Sequence, residues 1–442
     1  MRLKYLFILL TCMLCSRGNV SAQENHVLLT VDSLFAMTER NSLQLEASRQ
    51  KMGISKQNTA IEKQDAYLPE LNASASVGYI SNAHVWDNHY NYMETVIMPH
   101  TSMDFSLAAG YTVFNGGKTR NKLAQSKLEE QIAALDYQKN KEDIQFLLLA
   151  RYLDLFTLYN QKKVYQQNIA LAEQRLSNIQ KLVAQGMLTH NDVVRSQLQL
   201  TDLKLQLTEV NNNARIANHD LNIVIGLPEN TVIDVDTVLY QKTFEAAGIQ
   251  TYLDSSRDRL PEIQVAQQQQ HIAEKQINIA RSERLPQVSL FATDAIARPF
   301  LYSIPPIDIF MHYAMAGVRV QYNVASLYTS KRRIEKAKMN YKLAETQTDW
   351  LEQKSTIDIH NAYIKMQEAW EKYHSLEESY DLAKDNYRVV EQKYLNKFSV
   401  ITDMLDASTA LLSSQLNLNN ARISTIYQWF NLMKTSGNWD EK

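Results

Sequence analysis

The sequence predicts a mainly α-helical chain with a smaller β component, in which long coiled-coil hairpins join strands long enough to cross a membrane. Three observations carry this prediction. Proline is absent from about Lys118 to Gln185 and again from Lys331 to Lys397, and both stretches hold a seven-residue apolar repeat. Four shorter runs alternate apolar and polar residues with a period of two. The whole plan then occurs twice. Arg120 pairs with Lys331, Tyr152 with Tyr363, Asp192 with Asp403, Leu200 with Leu411 and Gly226 with Gly437, all at one spacing of 211 residues.

Composition narrows the class before any element is placed. The chain has 442 residues, 45% of them hydrophobic and 21% charged, with a formal net charge of -2. No basic field argues for nucleic acid, and no acidic excess argues for disorder. Only 11 Gly and 8 Pro occur, which suits long uninterrupted helices. At the start, Arg2 and Lys4 precede an apolar run from Leu6 to Leu14 and a small-residue site at Val20-Ser21-Ala22. This pattern reads as a secretory signal peptide over residues 1–22. Cys12 and Cys15 both fall inside it, and Leu14 is a poor residue to precede a lipidated Cys15. Beyond Ala22 no stretch approaches the roughly 20 apolar residues of a spanning helix. An exported chain of this kind is either soluble or a β-barrel.

Each repeat reads helix, strand, loop, strand, long helix, turn, helix. In the first, a strand from Leu71 to Tyr79 alternates Leu71, Ala73, Ala75, Val77 and Tyr79 with Asn72, Ser74, Ser76 and Gly78. Its return strand places Met103, Phe105, Leu107, Ala109, Tyr111 and Val113 on one face. In the second, Ala314, Ala316, Val318, Val320, Tyr322 and Val324 line one face, and the strand starting near Val288 has the weakest pattern. The clearer runs reach the ~9–11 residues of a tilted membrane strand. Aromatic residues crowd the strand ends and connections, as an interfacial belt would: Trp86, Tyr90, Tyr92, Phe300, Tyr302, Phe310 and Tyr313.

The helices carry the seams. Ile359, Met366, Tyr373, Tyr380, Tyr387 and Tyr394 recur every seven residues, with Ala362, Ala369, Leu376, Ala383 and Val390 as companions. Leu148, Leu155, Ile169, Leu176 and Val183 repeat this in the first copy, beside Leu158, Tyr165, Ala172 and Ile179. A helix of about 67 residues spans roughly 100 Å. Shorter helices flank each long one, at about Val31 to Ala66, Asp192 to Ile225, Arg259 to Arg284 and Asp403 to Thr435. The domain reading is a first repeat over 23–227, a mid-length equatorial segment with β-prone Thr231 to Tyr240 over 228–257, and a second repeat over 258–442. Four strands cannot close a barrel, and an open sheet edge in lipid is not viable. Two chains would supply eight strands and three would supply twelve; the residues do not choose between them.

In this order the pieces resemble the outer membrane efflux protein family, the TolC-like channels, over essentially the whole mature chain. The resemblance rests on the duplicated plan, Leu68-Pro69 and Leu285-Pro286 entering each first strand, and Phe114-Asn-Gly-Gly-Lys118 leaving the second. It rests also on two turns, Gly186-Met-Leu-Thr-His-Asn-Asp192-Val and Tyr394-Leu-Asn-Lys-Phe-Ser-Val-Ile-Thr-Asp403-Met-Leu-Asp406-Ala. It implies a homotrimer in the outer membrane of a Gram-negative cell, with a twelve-stranded β-barrel and a long periplasmic α-barrel. It implies an exit duct of a tripartite efflux pump, opened by docking of a periplasmic adaptor and an inner membrane transporter. A type I protein secretion duct and a structural periplasmic coiled coil are the alternatives. Asp403 and Asp406 align with acidic rings that narrow the pore, and Tyr394 with a tyrosine of the closing network. Around one axis, such carboxylates would focus a negative field. Gly186, Thr189, Asp192, Lys397 and Ser399 fall at the tip where the family meets its adaptors, and Asp192 also reads as a helix cap. Two positions depart from the family pattern: Ser399 stands where latched members carry arginine, and Lys397 where the turn glycine is usual.

Other signals carry no chemistry. Gly117-Lys118-Thr119 ends like a phosphate-binding loop, but the required first glycine falls at Thr112. His84, His89 and His100 share a loop with Met93, Met98 and Met103 nearby, without zinc-like spacing. His190, at a tip turn, reads as an ordinary exposed histidine. With no nucleophile–base arrangement and no cofactor motif, the chain reads as a conduit and not an enzyme.

Overall fold

The computed structural model describes residues 25–242, 244, 246–303 and 305–441, so the leader predicted over 1–22 lies outside the described residues. In chain order the elements are β1 (Asn25–Leu29), α1 (Val31–Asn41), α2 (Leu43–Tyr67), β2 (Glu70–Tyr79), β3 (Ala83–Trp86), β4 (Tyr92–Val96) and β5 (Thr101–Phe114). There follow α3 (Lys118–Ala184), α4 (His190–Ile225), β6 (Thr231–Val235), α5 (Val238–Gln241), α6 (Ile249–Arg259) and α7 (Pro261–Ser282). The chain closes with β7 (Gln287–Arg298), β8 (Met311–Gln321), α8 (Ser326–Leu395), α9 (Ile401–Thr435) and a single 3₁₀ turn at Trp439–Glu441. Two compact units form, one from residues 48–137 and 261–353 and the other from the remaining described residues. Each unit draws on both sequence repeats.

The first unit holds an antiparallel sheet in the order β2-β5-β7-β8. Its register aligns the apolar alternations of all four strands. Leu71, Ala73, Ala75 and Val77 sit opposite Ala109, Leu107, Phe105 and Met103. Leu290 lies between Tyr111 and Val318, and Ala292 between Ala109 and Ala316. One face is therefore apolar and the other carries Asn72, Ser74, Ser106, Thr112, Gln287 and Arg319, because side chains directly opposite in a ladder share a face. The weakly patterned run near Val288 becomes a full twelve-residue strand. Its neighbours on both sides supply the ladder that its own composition does not specify. The predicted strand through Val324 instead stops at Gln321, since Tyr322, Asn323 and Val324 lead into the turn before α8. A small separate hairpin, β3–β4, occupies the loop that carries His84, and the His84 ring meets the Thr95 hydroxyl at 2.9 Å.

In the second unit the heptad seams form the buried stripe over part of their length and are half-buried over the rest. Leu148, Leu155, Ala172, Ile179, Ile359 and Met366 are each 5% exposed or less. The predicted helix from Val31 to Ala66 is in fact two. Ser42 adopts an extended conformation, its N–H closes α1 on the Thr38 carbonyl at 3.0 Å, and its hydroxyl accepts the Leu45 N–H at 3.3 Å. Asn41-Ser42 is thus both stop and start, a competition that short polar side chains offer the helical backbone. The β-prone stretch Thr231 to Tyr240 divides into β6 and the short α5. β6 pairs in parallel with β1 next to the leader, a long-range pairing that no local pattern announces. Tyr152, fully buried, ties this small sheet down. Its hydroxyl donates to the Leu29 carbonyl and accepts the Asp236 N–H, both at 2.8 Å.

Candidate functional site

The two helical hairpins α3–α4 and α8–α9 end in equivalent turns. Past α3, Gly186 has φ of 70°, its N–H reaches the Val183 carbonyl at 2.9 Å, and Met187 N–H reaches the Leu182 carbonyl at 2.9 Å. Past α8, Lys397 has φ of 65°, with Lys397 N–H on the Tyr394 carbonyl at 3.0 Å and Phe398 N–H on the Lys393 carbonyl at 2.8 Å. Both are left-handed helix ends of the type that glycine favours. Lysine in this conformation costs ~1–2 kcal/mol, while glycine loses ~0.5–1 kcal/mol more chain entropy on folding. Lys397→Gly is accordingly expected to stabilise the chain by about 0.5–1 kcal/mol, read as a higher midpoint in thermal unfolding; a lower midpoint would show that the lysine side chain contributes a contact of its own.

The returning helices are capped differently. In α4 the Asp192 carboxylate accepts both the N–H and the hydroxyl of Thr189 at 2.8 Å. In the second copy the position of Thr189 is Val400, which has no hydroxyl. Ser399 takes over instead: its hydroxyl donates to Asp403 at 2.7 Å, and Val400 N–H reaches the same oxygen at 3.4 Å. The residue that stands in place of the latch arginine thus belongs, within one chain, to the cap of α9. Asp406 lies one turn further along α9, exposed like Asp403, and neither has an ion-pair partner among the described residues. The two carboxylates stand three residues apart, on one face of the helix.

Tyr394 lies behind this face. It is 3% exposed, packed with Ile179, Ile401 and Met404, and its hydroxyl has no partner among the described residues. Burial, and secondarily the Asp192 carboxylate, pushes its pKa up to about 12; burial does the same to Tyr152. The folded chain therefore holds both protons to about pH 12, whereas an unfolded chain releases them near pH 10. Stability contributed by these phenols is complete below pH 10 and is lost as pH rises through that window. Tyr394→Phe is expected to flatten the alkaline loss and to be neutral or slightly stabilising at pH 7, since it removes an unpaired buried polar atom. Tyr152→Phe, which strands the Leu29 carbonyl and the Asp236 N–H, is expected to cost about 1–3 kcal/mol. Equal effects of the two in urea unfolding would contradict this assignment.

One residue escaped the sequence reading. Arg175 is 9% exposed, and its guanidinium donates to Gln199 of α4 at 2.9 Å, to the Tyr387 hydroxyl of α8 at 2.7 Å and to Ser408 of α9 at 3.2 Å. The Tyr387 ring lies 5.5 Å from the guanidinium carbon, and the Tyr387 hydroxyl passes on to Glu391 at 2.7 Å. A single cation from α3 thus touches all three other helices of the two hairpins. The signal was present: Ala172, Arg175 and Ile179 follow a three–four spacing, which puts a charge inside the seam.

The described residues thus form seam-packed helical hairpins and a sheet with one apolar face and two open edges. Residues 34–227 and 252–438 each match the family model described as outer membrane efflux protein, and the chain belongs to that family. The two matched segments correspond to the two copies of the internal repeat. A curated relative, Nodulation protein T of Rhizobium leguminosarum bv. trifolii, is 20% identical over 334 residues, covering 71% of this chain and 66% of that protein. Among solved structures the chain resembles the outer membrane protein VceC of Vibrio cholerae, with a TM-score of 0.75 at 15% identity over 92% of this chain and 96% of that one. It likewise resembles the open-state MtrE outer membrane channel of Neisseria gonorrhoeae, with a TM-score of 0.73 at 16% identity over 92% and 88%. These likenesses establish the fold.

Proposed function

We propose that three copies of this chain form an outer membrane exit duct of a tripartite efflux pump, a passive conduit with a long periplasmic extension. The observation that carries this reading is the four-stranded sheet. It has one apolar and one polar face, and it leaves β2 and β8 as free edges. Edges in hydrocarbon must be paired, so the sheet closes with copies of itself. Three copies give twelve strands, the number the family resemblance implies. Residues 228–257 then belong to an equatorial belt.

In this duct Asp403 and Asp406 form acidic rings at the aperture, with Tyr394 packed behind them. The turns at Gly186, Thr189, Asp192, Lys397 and Ser399 are where a periplasmic adaptor docks, and the inner membrane transporter supplies energy and selects cargo. Electron microscopy of the detergent-purified mature protein tests the assembly. Hollow rods with three-fold end views are expected; solid or two-fold particles would overturn the trimeric duct.

A further inference from the structure

The apolar face of the sheet is interrupted at one place. Among the residues of β2, β5, β7 and β8 on that face, charge or imidazole occurs only at Asp294, Arg298 and His312; Glu70, Asp104 and Arg319 lie on the opposite face. Asp294 sits between Leu107 and Ala314, and His312 lies diagonally across from it, opposite Ile296. The two meet, His312 Nε2 to Asp294 Oδ1 at 2.5 Å, with both side chains more than half exposed. Arg298, two positions beyond Ile296, is held in a two-pronged pair by Asp308 at 2.7 and 2.9 Å. Toward the helical end the surface stays apolar past the strands, through exposed Leu68, Leu285, Tyr322 and Val324.

Two placements of this sheet in a bilayer are open. Centred on β5, the hydrocarbon would cover the whole face and put the Asp294–His312 pair at mid-depth, the costliest position for ionisable groups. Shifted toward the helices, it would run from Leu285 to Asp294. At ~3.3 Å per residue and ~40° of strand tilt the seven strand steps from Gln287 to Asp294 rise about 18 Å, and the apolar Leu285 and Pro286 before them extend the surface toward the ~25 Å apolar band of outer membrane barrels. We propose that the Asp294–His312 pair marks the outer edge of the membrane-embedded band and contacts the polar headgroups of the outer leaflet. Ile296, Phe105 and Ala75, despite their apolar side chains, then stand in the headgroup layer, and the Arg298–Asp308 pair stands above it.

This placement rests on the outer membrane channel reading, and one experiment separates the two. Nitroxide labels are attached at Leu290→Cys or Ile296→Cys, and the protein is reconstituted in phosphatidylethanolamine–phosphatidylglycerol vesicles. Collision with oxygen, which concentrates in hydrocarbon, is compared with collision with a water-soluble nickel chelate. The expected result is an oxygen-dominated signal at Leu290 and a nickel-accessible one at Ile296. In a background of Asp294→Leu with His312→Leu, the Ile296 label should become several-fold less accessible to nickel as the band extends outward. Deep signals at both positions, or an Ile296 label unmoved by the double substitution, would overturn the boundary. Nickel access at Leu290 as well would overturn the membrane sheet itself.

Discussion

Arg175→Ala is expected to cost the folded chain about 3 kcal/mol, because it strips three hydrogen bonds to a charged group at once. Gln199, Tyr387 and Ser408 would lose their shared donor in a partly buried site. Arg175→Met separates charge from volume. An apolar side chain of similar length fills the seam without a desolvated cation, so most of the stability is expected to return. The connection between hairpins would not return. In the proposed duct, the methionine variant should show a larger single-channel conductance in planar bilayers than the parent at near-parental stability. Unchanged conductance in the methionine variant would reduce Arg175 to a packing residue. Tyr387→Phe, which removes one of the three acceptors and leaves the ring contact, is expected to lie between parent and Arg175→Met in conductance.

The second large effect is on ion selectivity. Asp403 and Asp406 present two carboxylates per chain, and three chains would set six around one axis. A ring of this kind favours cations by field rather than by contact. Asp403→Asn with Asp406→Asn is the cleaner substitution. It removes the charge, and the amide oxygen introduced at position 403 remains an acceptor for Ser399 and Val400. Alanine there would also remove a cap contribution of about 1 kcal/mol. In a potassium chloride gradient the reversal potential of the double variant should move toward zero. The difference from the parent should shrink in 1 M salt, where the screening length falls to ~3 Å. A double variant as cation-selective as the parent would exclude both residues from the aperture.

Legibility followed the range of the interactions. The heptad seams were readable because each buried position repeats within its own helix. Of the residues marked at that spacing, Ile359, Ala362, Met366 and Ala369 are buried, whereas Tyr373, Leu376, Tyr380, Ala383, Tyr387 and Val390 farther along the same seam are half-buried. Both tip turns were readable from the constant 211-residue register, which pairs Gly186 with Lys397, and both of these residues end their helices in the left-handed conformation. Two local details were missed although their signals were present. Asn41-Ser42 divides one helix into two, and Ser399 serves the cap that Val400 cannot. Both depend on which partner a short polar side chain finds, the Leu45 N–H for the Ser42 hydroxyl and the Asp403 carboxylate for that of Ser399, a choice that composition leaves open.

By itself, then, the sequence determined the duplicated plan, the coiled-coil seams, three of the four alternating strands and the acidic pair after the second turn. Each of these is written in a short period along one stretch of chain. Only the tertiary structure decided that β1 pairs with β6, that β7 becomes a full strand between β5 and β8, that Arg175 reaches three other helices, and that Asp294 meets His312 on the apolar face. Those contacts join residues distant in sequence, and their energies come from register and burial that no single segment encodes.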